Sequence, residues 1–119
     1  MPNLRYSFGM NAPTPLPIPA AEVVSFDRRE LGAILSVYGR MVAAGEWRDY
    51  ALNFQPQVAV FSIFRRTAEV PIYRIEKRPA LRARQGMFAV IGAEGQVLRR
   101  GHDLPAALRV LEKPIRPIS

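Results

Sequence analysis

Nine cations in the second half of the chain carry the strongest chemical signal: Arg65, Arg66, Arg74, Lys77, Arg78, Arg82, Arg84, Arg99 and Arg100. Residues 1–64 hold five basic and five acidic side chains, so the whole formal charge of +7 belongs to residues 65–119. The densest stretch, 65–84, sets seven bases against Glu69 and Glu76. Guanidinium groups suit phosphate because their planar fork donates two parallel hydrogen bonds. A surface of this kind steers anions and releases counterions on binding a phosphate backbone. The partner classes that fit are nucleic acid and acidic protein segments. A plainer reading stands beside this one: 15 arginines to 2 lysines also fits a genome that solubilises ordinary surfaces with arginine.

Other chemistry is constrained by what the chain contains. It has no cysteine and a single histidine, His102. Thiolate nucleophiles, disulfides, thiolate zinc sites and paired-histidine metal sites are thereby excluded. His102 lies between Gly101 and Asp103, without a nucleophile elbow or a second imidazole to complete a triad. No phosphate-cradling glycine motif occurs, since Gly92 and Gly95 belong to a turn. The sequence therefore points to a non-enzymatic protein, with no catalytic residue, metal or cofactor assigned.

A second candidate surface lies on the first helix. Gly32, Ser36, Gly39 and Ala43 fall within about 60° of one another at 100° per residue, bordered by Arg29 and Arg40. Together with the lone tryptophan, Trp47, they make an interface candidate for a protein partner or a homodimer. The competing reading packs the last helix or the proline tail on the stripe, and seals the core edge with Trp47.

These side chains are positioned by an alternation of helix and strand signals. Val23–Phe26 reads as a short strand, followed by Asp27 and Glu30 at capping-box spacing. A helix is expected from about Arg28 to Ala44, with Leu31, Ile34, Leu35, Tyr38, Met41 and Val42 on its apolar face and Gly45 as its stop. Tyr50–Gln55 alternates as a half-buried strand, and the apolar run Val58–Phe64 predicts a strand covered on both faces. Val70–Lys77, Met87–Ile91 and Gln96–Arg100 continue the series, the last two as a hairpin. Asp103 is placed to cap a final helix that buries Leu104, Ala107, Leu108 and Leu111. Arg74 and Arg99 are expected on the sheet face away from the helices, with loop 78–86 crowning one end.

Short links between consecutive strands require antiparallel pairing. The expected fold is therefore a two-layer α+β domain: a curled antiparallel sheet of about five strands, a long N-terminal helix and a short C-terminal one. It spans residues 23–112, between a proline-rich tail (1–22) and an exit segment (113–119). In that tail Pro13, Pro15, Pro17 and Pro19 alternate with Thr14, Leu16 and Ile18, which favours extended polyproline II. No run approaches the roughly 20 apolar residues of a membrane span, and no signal-peptide pattern is present, so a cytoplasmic location is expected.

Several strings are long enough to carry a resemblance: Val24–Leu31, Tyr38–Tyr50, Phe61–Arg66, Val70–Pro79 and Gly101–Leu104. Over residues 23–112 the chain resembles the DUF2794 family, proteins of unknown function. The resemblance implies a small soluble protein of alphaproteobacteria. It brings no activity, substrate or site residue with it.

Overall fold

A computed structural model describes residues 22–65 and 70–112. The proline-rich opening, Arg66 and the exit segment after Glu112 lie outside the described residues. The first helix, α1, spans Arg28–Ala43 and opens on the expected capping box. Glu30 donates its backbone N–H to Asp27 Oδ1 at 2.8 Å, and Asp27 N–H reaches Glu30 Oε1 at 2.9 Å. This hydrogen bond from the Glu30 backbone, first among its causes, holds the Asp27 carboxyl below its ordinary value of 3.8. Gly45 follows the helix at φ 80°, a conformation that favours glycine.

Five strands follow: β1 (Asp49–Phe54), β2 (Ala59–Phe64), β3 (Tyr73–Lys77), β4 (Phe88–Gly92) and β5 (Val97–Gly101). They form one open antiparallel sheet in chain order. The last helix, α2 (Leu104–Leu108), tightens into a 3-10 turn over Arg109–Glu112. The α+β class and the antiparallel meander agree with the sequence reading.

Alternation along the strands assigns the two faces. Leu52, Phe61, Ile75 and Val90 stand in register and face the helices. There they join Phe26, Ile34, Val37, Trp47, Leu104, Ala107, Leu108 and Leu111 in the core. The outer face carries the rows Ser62, Arg74, Ile91 and Val60, Glu76, Ala89, Arg100.

Five local expectations change. Val23–Phe26 is not a strand, because the segment turns at once into the capping box. It keeps one tie, Val24 N–H to Gln55 O at 2.9 Å. The strand expected from Val70 starts at Tyr73, since Pro71 has no amide hydrogen to donate. On α1, Val37 is buried while Leu35 and Val42 are 38% and 39% exposed. Helix α2 packs along the Ala33 and Val37 flank, which turns the buried stripe away from Leu35 and Val42. Asp103 occupies the N-cap of α2, yet its side chain makes no capping bond. Between β2's two faces, Ala59, Phe61 and Ile63 are fully covered and Val60, Ser62 and Phe64 only partly.

Candidate anion-binding surface

The tertiary structure separates the nine cations into groups. Arg74, on β3, and Arg100, on β5, belong to the outer face by register. Arg99 is paired with Val90 and so belongs to the helix-side face of the edge strand. The expectation that placed Arg99 beside Arg74 is therefore corrected: a bulge between Val90 and Ile91 shifts the register of β5, and Arg100 takes that place. Lys77 also points to the helix side. Its Nζ lies 2.7 Å from Glu30 Oε1 and 2.9 Å from Ser25 O, so it fastens β3 to the start of α1. Arg65 follows β2 at the end of the sheet opposite the β3–β4 loop, away from the others.

What remains together is Arg74, Arg78, Arg82, Arg84 and Arg100. Glu76 is the carboxylate among them, 9% exposed and bracketed along its own strand by two arginines. Arg78 donates its Nε hydrogen to Glu76 Oε1 at 3.2 Å, and Arg74 Nη2 lies 3.9 Å from Oε2. A guanidinium has five donor hydrogens, and this contact uses the Nε edge of Arg78. Its remaining donors stay available on a side chain that is 40% exposed. The carboxylate thus acts as a strut that fixes the arginine while neutralising only part of the local charge.

Arg82 and Arg84 lie exposed on the β3–β4 loop, and their guanidinium groups make no hydrogen bond or ion pair among the described residues. The loop that carries them is held rather than slack. Pro79–Leu81 forms a 3-10 turn, Arg78 N–H reaches Met87 O at 2.7 Å, and Gly86 N–H reaches Leu81 O at 2.9 Å. Gly86 has φ 113°, and a Cβ there would sit 2.5 Å from the carbonyl carbon of Gly101. Arg100 Nη1 adds a 3.4 Å contact to Gly86 O. The result is a fixed loop that presents two free guanidinium groups beside the partly satisfied Arg78.

The second candidate surface divides as well. Trp47 is 5% exposed, with its ring 6.0 Å from Tyr38 and 6.1 Å from Tyr73. It belongs to the core where helix meets sheet and offers no contact area to a partner. Gly32, Ser36, Gly39 and Ala43 are exposed on the outer side of α1. Of these only Ser36 meets α2, on a groove it shares with Arg40, Pro105 and Glu112. Arg40 bridges to Glu112 across that groove and donates to Ser36 Oγ at 3.2 Å. His102 is exposed beside Asp103.

The sequence reading missed two things. It left Arg74 and Glu76 to satisfy cross-strand partners, whereas Glu76 pairs along its own strand, with Arg74 and Arg78. It also gave Lys77 to the anion set, because the α1 contact that claims it lies 47 residues away.

A family model described as a protein of unknown function (DUF2794) matches residues 24–108. No curated protein and no solved structure matches the chain. No helix among the described residues is long and apolar enough to cross a membrane.

Proposed function

We propose, for a chain that belongs to the DUF2794 family, a non-enzymatic cytoplasmic binding module whose outer sheet face and β3–β4 loop take the phosphate backbone of a nucleic acid. One observation carries this reading. Arg74 and Arg78 bracket a single buried carboxylate, Glu76, and on the adjoining loop the guanidinium groups of Arg82 and Arg84 make no hydrogen bond or ion pair among the described residues. The loop backbone that carries them is already fixed by hydrogen bonds, so binding has to restrict the arginine side chains but not order the loop.

Phosphate contacts of this type give affinity without sequence preference and fall steeply with salt, with a log–log slope of about −0.9 per neutralised phosphate on duplex DNA. The test is fluorescence anisotropy of a labelled DNA duplex and an RNA duplex across a salt series, using the full chain. Binding is expected at low salt. Arg78→Ala, Arg82→Ala and Arg84→Ala combined should flatten the slope by roughly 2–3. Absence of binding to both duplexes at low salt overturns the reading.

A further inference from the structure

We propose that a second copy of this chain docks on the outer flank of α1, the two helices pairing antiparallel about a two-fold axis at the level of residue 37. This surface is separate from the arginine face. Its apolar residues are Leu35 and Val42, left 38% and 39% exposed because α2 occupies the opposite flank of the helix. The patch continues through Tyr38 to Tyr50, whose ring lies 5.0 Å from that of Tyr38 and which is 45% exposed on the edge strand β1.

The occupant follows from the shape of the flank. Gly32, Leu35, Gly39 and Val42 are spaced by three, four and three residues, a heptad seam of alternating holes and knobs. A Cβ built on Gly32 or Gly39 would meet no atom within 4 Å, so both holes are open. In an antiparallel register centred on residue 37, Leu35 of one copy enters the hole at Gly39 of the other. The same register sets Val42 over Gly32. Knobs and holes sit symmetrically about one point of one helix, which is the condition for a self-complementary two-fold contact.

Charge agrees with the same register. It brings Arg28, at the first turn of one helix, to Glu46, just past the last turn of the other, at both ends of the seam. Neither side chain has a hydrogen bond or ion pair among the described residues. Antiparallel helices also align their dipoles favourably. A seam along one 16-residue helix is small. It belongs at the low end of specific interfaces and implies micromolar association.

The chain contains no cysteine, which makes cross-linking selective. Copies carrying Leu35→Cys, mixed with copies carrying Gly39→Cys, should form a disulfide dimer under mild oxidation in higher yield than either variant alone. Sedimentation of the wild-type chain should show a reversible monomer–dimer equilibrium between about 10 and 300 μM. Gly39→Leu, on an exposed helix face, should weaken it at least tenfold with unchanged circular dichroism. Arg28→Glu should weaken it, and adding Glu46→Arg should restore it. A monomer throughout, a dimer indifferent to Gly39→Leu, a charge swap that fails to restore association, or mixed cysteines that fail to link overturns the proposal. Because none of these residues lies on the arginine face, duplex binding tests that reading separately.

Discussion

Lys77 Nζ sits 2.7 Å from Glu30 Oε1, joining the last residue of β3 to the first turn of α1. Both side chains are largely buried, and the same Glu30 oxygen accepts the Asp27 N–H of the capping box. One carboxylate therefore serves a local helix start and a long-range tie at once. Removing the lysine leaves that carboxylate partly desolvated without its cation, at a cost of about 2 kcal/mol for a charged hydrogen bond. Lys77→Ala should lower the urea midpoint with the m-value unchanged. Duplex binding at matched salt should stay within about twofold, since the ammonium faces the helix layer. A binding loss as large as that of the arginine triple variant would return Lys77 to the anion face.

Glu76 separates stability from binding in the opposite direction. Glu76→Gln keeps the shape and removes the charge that holds Arg74 and Arg78. Duplex affinity should rise, because one negative charge leaves the surface. Thermal stability should fall, because two guanidinium groups lose their ion-pair partner. Anisotropy and a melting curve on the same variant check both halves.

Gly86 and Gly95 both have positive φ, but only one is crowded. An alanine at Gly86 would strike the Gly101 backbone, whereas nothing lies within 4 Å of a Cβ at Gly95. Gly95→Ala should cost only the left-handed penalty of about 1–2 kcal/mol. Gly86→Ala should exceed it, since the β3–β4 loop must move off β5. Denaturant unfolding of the two variants gives the ranking, and equal losses would mean the close approach has no energetic weight.

Acid should act on the start of α1. The Asp27 carboxyl is held below 3.8 in the folded protein by the Glu30 N–H, so its contribution is present above that value and is lost as pH falls through the folded value. The stability gap between the wild type and Asp27→Ala should be constant between pH 5 and pH 7 and close on acidification below about pH 4. Melting temperatures across that range check it. A gap unchanged at the acidic end would contradict a role for the ionised carboxylate.

Trp47 provides an optical check on the core. It is the only tryptophan and is 5% exposed between Tyr38 and Tyr73. Its emission should be blue-shifted and weakly quenched by acrylamide. Trp47→Ala should cost about 3–5 kcal/mol, as for large aromatic truncations in other cores.

Local order alone set much of this molecule. Asp27 and Glu30 fixed where α1 starts, Gly45 where it stops, and the short links between alternating runs left antiparallel pairing as the available arrangement. Each of those depends on residues a few positions apart, whose hydrogen-bonding options and dihedral limits travel with the sequence. Faces and partners were decided elsewhere. Leu35 and Val37 are equally apolar and two positions apart, and only the arrival of α2 on one flank chose which is buried. Lys77 and Arg78 are adjacent cations, yet the pleat sends one to Glu30 and the other to Glu76. Arg99 and Arg100 exchanged faces through a one-residue bulge in β5. Such outcomes depend on contacts between segments far apart along the chain, where a shift of one residue moves a charge from one face of the sheet to the other.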